Sequence, residues 1–213
     1  MNSPAFPPQL SLIGDRIALL PMRAEHAAGM LAASSDGELW QSIYTAVPGP
    51  KTVDDYIASA LADRDQHGAR PFVTTLADSG QIVGSTRFSR VDHGNRKCEV
   101  GYSWIAKSLQ GSFVNPEARY LMFRYAFEHM RWLRVQIQAD ALNLQSRAAL
   151  RKLGATEEGI LRNDRIMRGG RVRDSAIYSI IDTDWPQVRE NLESRLTGLG
   201  ITPRLELVNT SLD

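Results

Sequence analysis

The hydrophobic and polar positions of the chain follow two periodicities, which predict strands and helices in a mixed order. Apolar stretches bounded by turn residues predict strands over residues 10–20, 72–77, 81–89, 97–104, 134–139, 155–161 and 172–181. Stretches with a helical repeat predict helices over residues 25–34, 52–66, 115–130, 143–153 and 184–196. Because the two kinds do not alternate regularly, we expect an α/β (or α+β) fold in which helices cover a mostly antiparallel sheet.

The length of 213 residues suits one domain with a complete core, which would bury roughly 70% of the surface of the unfolded chain. We predict a flexible N-terminal tail over residues 1–9, which are rich in proline, and a single domain over residues 10–197. Residues 198–213 form a C-terminal tail to which the sequence assigns no structure.

Charge and cysteine content limit the partners and the compartment. The net charge of +1 does not favour binding to nucleic acid or to an anionic membrane. The single cysteine, Cys98, excludes an internal disulfide and fits a reducing compartment. No run approaches the roughly 18 apolar residues of a membrane span, and the first residues do not resemble a signal peptide, so we expect a cytoplasmic protein. The four histidines are scattered without metal-ligand spacing, so we predict no metal site.

Residues 110–117 (QGSFVNPE) have the composition of a strand-to-helix turn that binds an anion. Asn115 is predicted to cap the following helix, Pro116 to take its first position, and Glu117 to lie in its positive first turn. Free backbone N–H groups at such a helix start form, with the macrodipole, a site for phosphate. Phe113 stands where turns of this kind usually carry glycine.

The strand over residues 97–104 carries a candidate general base. Strict alternation predicts that one face holds Cys98, Val100, Tyr102 and Trp104, and that the other holds Lys97, Glu99, Gly101 and Ser103. Glu99 would act as a general base if burial raised its pKa towards neutrality. A solvated glutamate paired with Lys97 or with an arginine explains this residue equally well.

Two further segments carry polar side chains with more than one interpretation. Asn143 and Ser146 open a helix, where they would contact a ligand or serve as ordinary capping residues. The predicted hairpin over residues 161–174 holds Arg162, Arg165, Arg168, Arg171 and Arg173. Such a hairpin would bind cofactor phosphates, an acidic peptide or RNA, or it would simply be solvated.

The order and spacing of these segments resemble the GNAT acyltransferase superfamily, in particular the branch similar to the ribosomal-protein N-terminal (RimJ/RimL-like) acetyltransferases. The resemblance spans residues 10–196 and depends on the segments LIGDRIALLP, SGQIVGSTRF, CEVGYSW, QGSFVNPEA, NLQSRAALRKLGA and RVRDSAIYSIIDTDWP. It implies a mixed sheet with helices on both faces, in which the fourth and fifth strands splay apart to admit acyl-coenzyme A. It also implies an N-acetyltransferase that moves an acetyl group from acetyl-coenzyme A to a primary amine by direct attack in a ternary complex.

The resemblance assigns a role to each candidate residue. Glu99 would accept the proton of the ammonium group, and Ser146 would protonate the departing thiolate. The cofactor would be bound by Asn143, by the backbone at Val100 and Gly101, and by the turn residues Gln110, Gly111, Ser112, Phe113, Val114 and Asn115. The amine, a small molecule or a peptide N-terminus, would enter near Trp40 and Tyr44. A homodimer is left open by the sequence.

Phe113 departs from the family pattern, which has glycine at this position of the turn. If the position requires a positive φ, phenylalanine would cost about 1–2 kcal/mol, or roughly tenfold in affinity. The ring would then either obstruct the pyrophosphate site or turn into the core and leave the amides usable. If the ring obstructs the pyrophosphate site, the alternative to an enzyme is a GNAT-fold binding or regulatory protein with impaired catalysis.

Overall fold

Nine β-strands and five α-helices form within residues 6–7 and 9–209, the part of the chain that this computed structural model describes. The strands are β1 (Leu10–Ile13), β2 (Ile17–Pro21), β3 (Arg70–Leu76), β4 (Ile82–Asp92), β5 (Lys97–Ile105), β6 (Arg134–Asp140), β7 (Thr156–Ile166), β8 (Val172–Ile181) and β9 (Glu206–Asn209). The helices are α1 (Ala27–Ser35), α2 (Val53–His67), α3 (Val114–Arg124), α4 (Leu144–Leu153) and α5 (Trp185–Gly198). A π-helical turn, Tyr125–His129, continues α3.

The strands form one sheet in the order β7-β8-β6-β5-β4-β3-β2-β1-β9. Every neighbouring pair is antiparallel except β5 and β6, which are parallel. One hydrophobic cluster contains buried side chains of α3, α4 and α5, and a second cluster contains those of α1 and α2. The predicted mixed, mostly antiparallel sheet with helices on both faces is therefore confirmed.

The parallel strands β5 and β6 separate soon after they begin. They pair only at Lys97–Arg134, Cys98–Val135 and Glu99–Gln136, although β5 continues to Ile105 and β6 to Asp140. β6 instead pairs along its whole length with β8. The predicted splayed strand pair is thus confirmed, and it consists of the fifth and sixth strands of this chain. Past Glu99, the edge of β5 that faces β6 has no strand to bind, so its backbone groups are available to a ligand.

A bulge at Tyr102 bends β5 and breaks the alternation that the sequence predicts. Tyr102 has a φ of 53°, and the pairing of β5 with β4 shifts between Gly101 and Trp104. Beyond the bulge Trp104 packs with α1 and α2, whereas Cys98 and Val100 pack with α3 and α5. The prediction that these four alternate side chains share one face is therefore wrong, because the extra residue reverses the faces that follow it.

The described parts of both predicted tails contribute to the folded domain, and residues 1–5, 8 and 210–213 of these tails lie outside the described part of the chain. Phe6 lies in the segment expected to be flexible, but its ring is buried against Phe88, Tyr125 and Trp132. The segment after residue 198 contains β9, which pairs with β1 at the edge of the sheet. β9 was not predicted because it has only four residues with no strong local strand pattern, and it forms through pairing with a strand that is distant in the sequence.

A buried carboxylate fixes the first turn of α3 to the β1–β2 turn. Glu117 is only 1% exposed, and its Oε1 accepts hydrogen bonds from the amides of Asp15 at 2.6 Å and Arg16 at 3.0 Å. A Cβ atom at Gly14 would lie 2.3 Å from the same oxygen, so glycine is required there by close approach. Burial raises the pKa of the Glu117 carboxyl, and the hydrogen bonds from this turn lower it in part.

We expect Glu117→Ala to lower the free energy of unfolding by about 2–4 kcal/mol, because two amides lose their acceptor. Glu117→Gln, the matched control, keeps an acceptor oxygen and should lose less. Because the folded-state pKa is raised, the wild-type carboxyl favours the native state more as the pH falls through that pKa. The deficit of Glu117→Gln relative to wild type should therefore be larger at pH 5 than at pH 7. Urea unfolding measures the free energy of unfolding of each variant at the two pH values. Equal losses of this free energy in Glu117→Ala and Glu117→Gln would contradict the role of Glu117 as a hydrogen-bond acceptor.

Candidate active site

A cleft of 590 Å³ opens where β5 and β6 separate. Its lining includes the predicted catalytic and substrate residues and most of the predicted contacts for the cofactor arm: Trp40, Tyr44, Glu99, Val100, Gly101, Asn143 and Ser146. The turn residues Gln110, Gly111, Ser112, Phe113, Val114 and Asn115 are not on its wall; they lie at the start of α3. Arg119, which follows this turn within α3, does line the cleft.

The turn before α3 differs in detail from the prediction. The helix begins at Val114, preceded by Phe113, so Asn115 is not its N-cap and Pro116 is its third residue. Proline is tolerated there because the first amides of a helix have no intrahelical acceptor. In the described part of the chain, the amides of Gly111, Phe113 and Asn115 have no hydrogen-bond partner. The predicted anion-binding groups are thus free at this turn.

The conformation of Phe113 answers the question of strain. Its φ is −70° and its ψ −21°, in the right-handed helical region, so the backbone does not require glycine. The half-buried ring packs against the main core, and the guanidinium of Arg16 lies over it, 5.1 Å from the ring centroid. The expected penalty for a positive φ therefore does not apply.

Glu99 is a buried carboxylate on the wall of the cleft, 7% exposed. Its Oε2 accepts a hydrogen bond from the Gln136 side-chain amide at 3.3 Å and lies 3.5 Å from Nε of Arg90. Burial raises the pKa of the Glu99 carboxyl, while Arg90 and Gln136 lower it in part. The alternative of a solvated glutamate paired with Lys97 or with an arginine fits only in part: the carboxylate is paired with Arg90, but it is buried, and Lys97 pairs with Asp92 instead. A carboxylate held in this state is suited to accept a proton.

Asn143 and Ser146 combine capping with exposure to the cleft. The Asn143 Oδ1 accepts a hydrogen bond from the amide of Ser146 at 3.0 Å, which caps α4. Within the described residues, neither the side-chain nitrogen of Asn143 nor the hydroxyl of Ser146 has a bonding partner. Each therefore keeps a polar group for a ligand in the cleft.

The loop that carries Trp40 and Tyr44 is held to the β7–β8 hairpin by arginines. Arg171 donates a hydrogen bond to the carbonyl oxygen of Ile43 at 2.7 Å, and Arg173 donates one to that of Tyr44 at 3.4 Å. Trp40 itself packs over Gly49, where a Cβ atom would lie 2.8 Å from the indole Cγ. The loop and the hairpin together form one end of the cleft.

Most of the hairpin arginines turn towards the cleft and are not simply solvated. Arg165, Arg168 and Arg173 line it, and Arg171 forms an ion pair with Asp140. Arg162 is exposed and lies outside the cleft. The sequence shows the concentration of positive charge, but the direction of each side chain follows from the pairing of β7 with β8.

Two arginines of the cleft were not predicted from the sequence as site residues: Arg119 was not considered, and Arg173 was named only as one of the hairpin arginines. Nη1 of Arg119 is buried without a partner, and burial lowers the pKa of this guanidinium to about 10. Nε of Arg173 is likewise buried and unpartnered. The position of Arg119, one helical turn after Asn115, was the signal that could have identified it.

Residues 6–7 and 9–209 contain neither a metal cluster nor a helical membrane span. No group of three histidine, cysteine, aspartate or glutamate side chains there could hold a metal ion. None of the described helices is both long enough and apolar enough to cross a membrane.

Comparison with known proteins agrees with this geometry. The family described as "Acetyltransferase (GNAT) domain" matches residues 16–156. The provisionally named ribosomal N-acetyltransferase YdaF of Bacillus subtilis is 32% identical over 138 residues, covering 64% of this chain and 74% of YdaF. A provisionally assigned acetyltransferase from T. thermophilus has 30% identity and a TM-score of 0.78, covering 90% of this chain and 98% of that one. Mycobacterium smegmatis RimJ in complex with CoA-disulfide shares the fold, with 23% identity, a TM-score of 0.71 and coverage of 92% and 96%.

The family match spans the splayed strands β5 and β6, the turn before α3 and the helix α4. The match and the fold together confirm the acetyltransferase predicted from the sequence motifs. The chain belongs to the GNAT acetyltransferase family.

Proposed function

We propose that the protein is an acyl-coenzyme A-dependent N-acyltransferase, most simply an acetyltransferase, acting on a primary amine. The observation that carries this proposal is Glu99, a buried carboxylate with a raised pKa on the wall of a cleft between splayed strands. The acceptor is a small molecule or a protein N-terminus. The name of the ribosomal N-acetyltransferase YdaF supports the second possibility, and the arginine-lined cleft supports the first.

The residues present fit coenzyme A. The cofactor supplies an acyl group activated as a thioester and carries anionic phosphates. The free amides of Gly111, Phe113 and Asn115 would hold a phosphate at the start of α3. The unpartnered guanidinium of Arg119 adds positive charge between this turn and the cleft. The side-chain nitrogen of Asn143 would donate a hydrogen bond to an amide of the cofactor arm.

The chain's own groups then divide the chemistry among them. Glu99 accepts the proton of the ammonium group, directly or through a water molecule, and so frees the amine to attack. The unpaired edge of β5 around Val100 and Gly101 would present a backbone N–H group to a developing oxyanion. The hydroxyl of Ser146, which also lines the cleft, would donate a proton to the departing thiolate of the cofactor. Trp40 and Tyr44 cover the end at which the amine enters.

Cofactor binding is tested by calorimetry with acetyl-coenzyme A, for which we expect a micromolar dissociation constant. Phe113→Gly should not tighten binding, because the ring packs on the core and the backbone is unstrained. Phe113→Leu, which keeps an apolar side chain, is the matched control. A tenfold gain in affinity for Phe113→Gly would show that the ring obstructs the site. No heat at millimolar cofactor would refute the proposed function.

The role of Glu99 is tested by the pH dependence of turnover. Glu99→Gln should lower kcat by about 10²–10⁴-fold and leave cofactor affinity unchanged, because only the proton acceptor is lost. Activity of the wild type should fall as the pH drops through the raised pKa of Glu99. Arg90→Gln removes a cation that lowers this pKa, so the acid limb should move to higher pH. An unmoved acid limb in Arg90→Gln would assign the limb to another group.

A further inference from the structure

The proposed function leaves two classes of acceptor open, and the charges of the cleft distinguish between them. Arg173 is the charged side chain on which this distinction depends. It lies on β8, is 7% exposed and lines the cleft. Its Nε is buried without a partner, and its recorded hydrogen bond is a long one from Nη1 to the carbonyl oxygen of Tyr44.

The carboxylates nearest to Arg173 are already committed to other groups. Asp140 forms an ion pair with Arg171 and accepts a hydrogen bond from the amide of Leu142 at 3.0 Å. Asp164 binds Arg165 at 2.9 Å and the hydroxyl of Ser175 at 2.6 Å.

Among the described residues, no carboxylate lies within ion-pair distance of Arg173. Burial lowers the pKa of this guanidinium, and the charges of Asp140, Asp164 and Glu99 act against that shift. A buried cation without a direct ion-pair partner is costly, and an anion that enters the cleft and binds it would lower that cost.

Glu99 presents the opposite charge in the same cleft. It lies on β5 in register with Gln136 of β6 and, through that residue, with Ser179 of β8, whereas Arg173 lies six residues further along β8, past the end of β6. Each of the two charges influences the pKa of the other. Both side chains face the cavity, and they do not form an ion pair with each other. A cavity with a buried anion on one wall and a buried cation on another is complementary to a ligand that carries both charges.

We propose that the acceptor is an amine that carries a carboxylate close to its nitrogen, with the ammonium group at Glu99 and the carboxylate bound by the guanidinium of Arg173. This inference depends on the proposed function and selects its small-molecule branch. A peptide N-terminus carries an amide in place of that carboxylate and would leave Arg173 unpaired. The planar fork of an arginine is well matched to a carboxylate, which it can bind through two parallel hydrogen bonds.

The test compares each of three amino acids, glycine, L-methionine and L-phenylalanine, with its primary carboxamide, using acetyl-coenzyme A as donor. The measured quantity is the ratio of kcat/KM for the acid to kcat/KM for its amide. The intrinsic reactivities of the two amines affect this ratio equally in wild type and variant, so a change in the ratio reports on the substituted residue. We expect a ratio above about 10 for the wild type, and a fall of about 10–100-fold in Arg173→Gln. Arg173→Lys keeps the charge and should retain part of the preference. Arg162→Gln, an exposed arginine of the same hairpin, should leave the ratio unchanged.

Two outcomes would overturn the inference while the transferase proposal stands. One is equal or better turnover of the amides, or of a short peptide through its N-terminus, by the wild type. The other is an equal loss for acid and amide in Arg173→Gln, which would assign Arg173 to holding the Tyr44 loop. If turnover is slow, calorimetry compares the dissociation constants of N-acetyl-L-methionine and its carboxamide. Equal dissociation constants for the two compounds would also overturn the inference. Failure of acetyl-coenzyme A to bind would instead refute the proposed function itself.

Discussion

β6 pairs along its whole length with β8 but over only three residues with β5. The positions of the candidate active-site side chains depend on this difference in pairing. β5 leaves β6 after Glu99, and the bulge at Tyr102 bends β5 in the segment that follows. The divergence opens a cleft through the middle of the sheet, where walls on both sides are already held by other strands. A cavity built in this way presents the unpaired edge of β5 to a ligand while the strands on either side stay paired.

The same divergence explains why charged groups in the cleft are buried. Glu99 lies at the last paired position of β5, close enough to β6 to be shielded from water and to receive the Gln136 hydrogen bond. Arg173 extends past the end of β6, where the hairpin and the loop at Tyr44 close over it. Glu99 keeps a partner in Arg90, whereas the buried Nε of Arg173 has none, which is the condition under which a ligand of opposite charge is bound strongly.

Local signals in the sequence were sufficient for most of the fold. The helix end at Gly154, with a φ of 98°, and the tight turns between β3 and β4 and between β7 and β8 follow from residue type alone. The bulge at Tyr102 was not predictable in this way, because a non-glycine residue with positive φ is imposed by the pairing of β5 with β4. Glu99 was found because a carboxylate is unusual in a buried strand. Arg119 and Arg173 were not singled out, because lacking a partner is a tertiary property that composition cannot show.

The pairing of β1 with β9 brings together the first and the last strand of the described chain. Leu10 lies opposite Asn209, so the chain enters and leaves the sheet at the same corner. Five strand spacings separate β9 from β5, about 24 Å at ordinary sheet geometry. A fluorophore attached at the exposed Asn209 would therefore leave the cleft unobstructed.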